Sequence, residues 1–436
     1  MATTPSATPA SPYAILRNRN FFLYALARFI ATFGQQMLFV AVGWELYERT
    51  HSSLALGLVG LTQFLPLLAM TLPAGHLADS RGRKGIIMVT LAVMAAASLG
   101  LALVSWEWAA VPWTHGEVYW VYFCLLLSGV ARTFNWSATA SFLPQLVSRD
   151  EFPLAVNWSS STFQFAAVTG PVAGGAMIAL TKGAASVYLF NAFAGLVCLT
   201  LISLVRAPQK LVVKEPVSLN SLLGGFRFVF NHRTILGMIT LDLFAVLFGG
   251  ADMLLPVYAR DILHVGPQGL GLLRAALPIG SVLSAIIVAH RPPLARAGRA
   301  LVVAVSIFGL ATVCFGFSRL FWLSMFMLCA CGMADNISII VRHTSVQLLT
   351  PDAMRGRVSS VNNLFIDASN NLGGFESGLV SFYFGPVFSV VSGGVATILV
   401  VLTVCWFFPE IPRYGRLVQP APAPLPGPSG KTGGSP

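Results

Sequence analysis

Gly75-His76-Leu77-Ala78-Asp79-Ser80-Arg81-Gly82-Arg83-Lys84 gathers an acid and three bases into one short link. On either side the chain turns apolar, over roughly residues 54–78 and 86–107. Each run has about the 20 residues that a helix needs to cross a hydrocarbon core at 1.5 Å per residue. In lipid only helices and closed barrels satisfy their own backbone, and apolar runs this long and continuous are helices. The fold class is therefore an all-α integral membrane protein.

The same rule, applied outward, gives first-half runs at roughly 20–44, 54–78, 86–107, 118–146, 155–181 and 184–205. A second set follows at roughly 234–259, 267–290, 299–317, 320–348, 358–383 and 386–409. The expected organisation is a disordered N-terminal tail (1–19), a six-helix bundle (20–205), a polar central loop (206–233), a second six-helix bundle (234–409) and a disordered Pro/Gly-rich tail (410–436). Met1 to Tyr13 lacks the apolar core of a signal peptide. Composition agrees: 56% of the 436 residues are hydrophobic and 10% charged, against roughly 25% charged in a soluble domain. The net charge of +11 does not point to nucleic acid, because the bases sit in short segments between apolar runs. All six cysteines fall inside apolar runs and are expected to be reduced packing residues; Cys329 and Cys331 point apart on a helix and cannot share a metal.

Of the 27 Lys and Arg residues, 19 fall in one alternating set of loops and tails and four in the other. The positive-inside bias then puts both termini and the central loop in the cytoplasm. The last four, Arg28, Arg132, Arg274 and Arg342, lie inside helices. The halves also resemble each other. Arg19 through Val59 aligns without a gap with Arg233 through Leu273, which sets Gly57 on Gly271 and Arg28 on Asp242. Internal repeats of this kind mark secondary transporters, with the substrate site between the halves near the midplane.

The Gly75–Lys84 link resembles the signature loop of the major facilitator superfamily, although Ser80 stands where a basic residue is usual, with Arg81 one place later. Gly75 permits close helix approach; Asp79 can cap a neighbouring helix N-terminus; Arg83 and Lys84 can hold the loop at the lipid surface. Asp79 is expected against the start of the eleventh span, near Arg357 and Val358, where it would stabilise the outward-facing state. Leu26–Ile30, Val40–Val42, Phe142–Val147 through Asn157, and Pro351–Val358 resemble the enterobactin-exporter-like and macrolide-efflux-like branch (transmembrane secretion effectors). Gly170-Pro171 with Gly174-Gly175 is similar to the antiporter motif of drug exporters, with Ala166 in place of an expected glycine. Small residues at that spacing also serve plain helix packing. Many relatives carry an Asp after the first-span glycine; here Gly34 is followed by Gln35, so a proton role there does not carry over.

Charges at membrane depth cost several kcal/mol unless they face a partner or a path. Arg132 and Asp335 fall nearest the middle of the fourth and tenth spans; Arg28 and Asp242 lie about four residues to the cytoplasmic side, roughly 6 Å. Asp252 lies toward the outer end of the seventh span. These five are the candidate substrate and proton pathway, and each can instead be half of a structural ion pair. Arg28 and Asp242, at equal depth in symmetric halves, are expected to pair across the interface in at least one state, forming when the cytoplasmic side closes and breaking when it opens. Arg342 and Asp367, at similar depth, form a further candidate pair, and Arg132 is the candidate contact for a substrate anion. No catalytic, nucleotide or metal constellation appears.

The resemblance implies a proton-coupled exporter of a small amphipathic molecule, siderophore-like or drug-like, working by alternating access. It implies a monomer in a bacterial-type plasma (inner) membrane, with lipid, protons and the small molecule as partners and no cofactor beyond the proton gradient. An importer or a lysolipid/lipid flippase of the same fold is the alternative.

Overall fold

The computed structural model describes residues 13–80, 82–107, 115–206, 219–291, 296–352 and 354–415. The two tails expected to be disordered fall largely outside these residues, as do Arg81 and the Asp79 side chain. Helices α1 (Arg19–Thr50), α2 (Ser53–Ser80), α3 (Arg83–Glu107), α4 (His115–Leu146), α5 (Phe152–Thr181) and α6 (Ala185–Leu204) form one bundle. After the short α7 (Leu219–Asn231) come α8 (Arg233–Gly249), α9 (Leu255–Val257), α10 (Gly266–Ala289), α11 (Ala297–Phe317), α12 (Phe321–Leu349), α13 (Arg355–Phe384), α14 (Pro386–Phe407) and the turn α15 (Glu410–Arg413). α8 with α9 makes the seventh span, and α10 to α14 complete the second bundle. Among the described residues, ten spans are apolar enough to cross a membrane by length and composition. α4 and α13 match them in length, at 32 and 30 residues, but carry more polar groups, among them Arg132 on α4 and Asp367 on α13.

Local chemistry explains the element ends. Asn18 caps α1, its side chain accepting from the amides of Asn20 (3.1 Å) and Phe21 (3.3 Å). The first two spans of each half meet at a histidine in left-handed conformation, His51 (φ 50°) and His264 (φ 52°), so the repeat seen in the sequence recurs in the backbone. The seventh span differs from its expected unbroken run. It leaves helical geometry at Gly250 and re-forms as a tight turn, α9 and a wide turn through Ile262. Ser377 Oγ of α13 donates to the freed Gly250 carbonyl (3.2 Å), the compensation that lipid-embedded breaks require. The central loop, read as merely polar, contains α7, whose Gly225 lies so close to α13 that a Cβ there would come within 2.8 Å of the Arg357 carbonyl.

Two repeat-related crossings join the bundles: α2 with α13, and α10 with α5. Both rest on glycine. A Cβ on Gly378 would sit 2.6 Å from Gly57 Cα, and one on Gly271 would collide with the Pro171 carbonyl beside Gly175. The crossings lie at the His51 end, where a single apolar cluster draws on both bundles, from Met37 and Tyr47 of α1 to Leu254, Tyr258 and Leu270. At the opposite end, which carries the Gly75–Lys84 link, the clusters are separate: Ile15 to Val205 belong to one bundle, and Val229 to Ile411 to the other. The bundles are thus closed at the His51 end and parted at the motif end.

Replacing Gly378 with Ala forces backbone apart at a crossing and is expected to lower the apparent Tm of the purified protein, with a cost of about 1–3 kcal/mol typical of overpacking. Gly183→Ala, where an added Cβ meets nothing within 4 Å, is expected to leave Tm unchanged. Equal Tm values for the two variants would show that the crossing is not tight.

Candidate functional site: charges between the bundles

The intramembrane charges sort into three groups. The first is an ion pair inside the second bundle: Arg342 Nη1 of α12 contacts Asp242 Oδ2 of α8, with side chains 1% and 6% exposed. Neither expected pair is formed in this structure. Arg28 and Asp242 share a depth, but the bundles are parted at that level, and Arg28 instead donates to Tyr24 Oη on its own helix (3.2 Å). Arg342 and Asp367 also share a depth, but Arg342 points into its bundle while Asp367 is exposed toward the gap. Which face each charge takes was not readable from spacing along the helix.

Beside the pair lies a narrow cavity lined by Asp242, Ala245, Val246, Val305, Phe308, Ala334, Asp335 and Ser338. Asp335 has no ion-pair partner among the described residues, and the buried Arg342 Nε and Ser338 Oγ have no hydrogen-bond partner there. Arg132 makes no ion pair within 4 Å among the described residues; the acid that acts on it electrostatically is Asp367 of α13.

The second group lies between the bundles. The guanidinium carbons of Arg132 (α4) and Arg274 (α10) stand 5.9 Å and 5.7 Å from the centre of the Phe39 ring (α1). Asp252, just past the break at Gly250, lies 3.9 Å from Arg274. Phe39 and Arg274 were absent from the expected site. Arg274 carried the signal of a charge inside an apolar run, and Phe39 carried none.

The third group closes the His51 end. Tyr47 of α1 donates its hydroxyl to Asp261 of the other bundle, and Arg260 Nη1 reaches the Tyr47 carbonyl (3.5 Å). Behind Tyr47, buried Glu45 holds Arg49 (2.8 Å) and accepts from Ser105 Oγ (2.6 Å). None of these latch residues stood out in the sequence, because each lies near a helix end where charge is ordinary.

The motif residues take defined places. Arg83 donates to the Ser141 carbonyl near the end of α4 (2.9 Å). Lys84 donates to Ser203 (2.7 Å) and Val205 (2.8 Å) at the end of α6. They therefore cap helix C-termini, where cations are favourable, rather than reaching only for lipid. An added Cβ on Gly75 meets nothing within 4 Å, and Gly82 opens the turn into α3. In the antiporter-like motif, Gly170 and Gly174 seat Phe33, Gln36 and Met37 of α1, whereas Pro171 and Gly175 meet α10.

This arrangement, two repeat-related bundles around a charged gap closed at one end, defines a secondary transporter fold. The comparisons agree. The sequence profile of the Major Facilitator Superfamily matches residues 24–374. The chain belongs to that family, and is a multi-pass membrane transporter. It is similar to the Enterobactin exporter EntS of Citrobacter koseri (28% identical over 404 residues, 92% of this chain and 93% of the relative). It is similar to the protein of that name from Escherichia coli at 26% identity, over 89% of this chain and 92% of the relative. Among solved structures, a bacterial homolog of the human lysosomal transporter Spinster superposes with TM-score 0.71 (14% identity, 93% of this chain and 98% of that one). A bacterial homologue of the iron transporter ferroportin superposes with TM-score 0.69 (14% identity, 89% and 99%).

Removing one partner of the Asp242–Arg342 pair strands a buried charge, typically at a cost of 3–5 kcal/mol, roughly. Asp242→Asn and Arg342→Gln are each expected to lower Tm sharply, and Asp242→Leu with Arg342→Met to recover most of it. A double variant no more stable than the worse single one would show that the pair is not a closed unit.

Proposed function

We propose that the protein exports a small amphipathic molecule by alternating access, driven by the proton gradient, with the motif end and both termini in the cytoplasm of a bacterial inner membrane. The observation that carries this reading is the charged gap itself, reached from the motif end and sealed at the other by the Tyr47–Asp261 latch. In that orientation the substrate enters from the cytoplasm. The exporter names of the relatives support this direction, and the Lys and Arg distribution supports this orientation.

Asp335 is the proton carrier in this account. Asp242 is already held by Arg342, so loading it means first breaking an ion pair. Asp335 lines the same cavity without a cation beside it and can take or lose a proton with no such cost. The proton would reach the Asp242–Arg342 pair through Ser338, loosening α8 against α12 as the gate changes.

The test uses inverted membrane vesicles with iron-free enterobactin as first probe, after the relatives' name, beside a panel of amphipathic drugs. The expected result is accumulation that collapses with a protonophore, is lost in Asp335→Asn, and is accompanied by proton release from acid-loaded vesicles. Transport by Asp335→Asn with wild-type dependence on the gradient would remove Asp335 as carrier. Uptake only into right-side-out vesicles would replace export with import.

A further inference from the structure

We infer that Arg132, Arg274 and Phe39 form the binding site for an organic anion that carries an aromatic ring, held between the two bundles; this deepens the transport reading and rests on it. Two cations from opposite bundles converge on one ring, each guanidinium carbon within 6 Å of its centre. A guanidinium has five N–H donors in a planar fork. Neither Arg132 nor Arg274 uses any of them in a hydrogen bond among the described residues, and the one acidic contact, Asp252 to Arg274, is long at 3.9 Å. Holding two such groups at membrane depth is costly unless they serve a path or a ligand. The contrast with Arg342 is direct. That arginine is 1% exposed and locked to Asp242, as a structural cation is.

The chemistry of the ligand follows from the donors. A planar fork matches a carboxylate, sulfonate or similar oxyanion with two parallel hydrogen bonds, and its flat face stacks on aromatic rings. Phe39 shows that a ring fits between these two cations. A ring-bearing anion can therefore place its acid in one fork and its ring against the other guanidinium. Asp252 and Asp367 stand as the native counterions of Arg274 and Arg132. A cationic substrate would meet both arginines in repulsion. Because Arg132 belongs to the first bundle and Arg274 to the second, an anion between them ties the bundles together at the gap.

The test is calorimetric titration of the purified transporter in nanodiscs, with no gradient. The probes are 2-naphthoate, cyclohexanecarboxylate, 2-naphthylmethylammonium and inorganic phosphate. Binding without a gradient is independent of export, so the transport reading and this one can fail separately. Wild type is expected to bind 2-naphthoate best. Arg132→Gln and Arg274→Gln should each weaken it by about tenfold, the loss of one charge-assisted pair. Arg132→Lys and Arg274→Lys, which keep the charge and remove the fork, should fall between, and they keep the test valid if a Gln variant misfolds. Phe39→Leu should narrow the preference of naphthoate over cyclohexanecarboxylate. The proposal is overturned if the ammonium probe or phosphate binds as tightly as naphthoate, if wild type binds no ring-bearing anion, or if the arginine variants bind like wild type.

Discussion

Four glycines at two crossings set what this molecule can do. Gly57 against Gly378 and Gly271 against Gly175 bring backbone to backbone, so that α2 meets α13 and α10 meets α5 with no side chain between them. Lipid supplies no hydrophobic drive between helices, and such close packing is how membrane bundles hold together. Because the pairs exchange under the repeat, the two halves share a smooth seam on each flank. Side chains interlocked at those places would resist sliding or tilting; bare backbone does not.

The seam explains the distribution of charge. Groups inside a bundle keep their neighbours as the bundles tilt, so Asp242 and Arg342 can form a close buried pair that only protonation loosens. Groups facing the gap do change neighbours, and there the contacts are long and incomplete: Asp252 to Arg274 at 3.9 Å, and Arg132 with no ion pair to Asp367 within 4 Å. Groups at the closed end make direct contacts that must break on opening, as Tyr47 does with Asp261. The same residue types thus serve as a structural pair, a ligand cradle and a latch, according to whether their surroundings are fixed, variable or alternately made and broken.

The sequence made the helices legible because hydrophobic length is a strong signal in lipid: α3, expected over 86–107, spans Arg83–Glu107, and α6, expected over 184–205, spans Ala185–Leu204. The repeat was legible through Gly57 and Gly271, which proved to be the contact points of equivalent crossings. The family was legible through the link between α2 and α3. The pairing of charges was not. Register along an apolar run gives depth, but an all-round apolar helix gives little clue to which side faces its own bundle, the gap or lipid. Arg342 was therefore matched with Asp367 by depth, although its partner is Asp242. The break at Gly250 was hidden because no proline stands there and the apolar run continues through it, and Phe39 was one phenylalanine among 31.

Rocking of two rigid bundles about the glycine seams is the central claim, and paired spin-label distances test it most directly. In a cysteine-free background, one pair would join Arg149→Cys to Asp352→Cys at the motif end, and a second would join Ser52→Cys to Gln268→Cys at the latch end. Electron–electron distances would be compared with and without Asp261→Asn, which weakens the latch. The account predicts that the motif-end distance shortens as the latch-end distance lengthens, in the same fraction of molecules. A change at one end alone, or movement of both ends in the same direction, would contradict it.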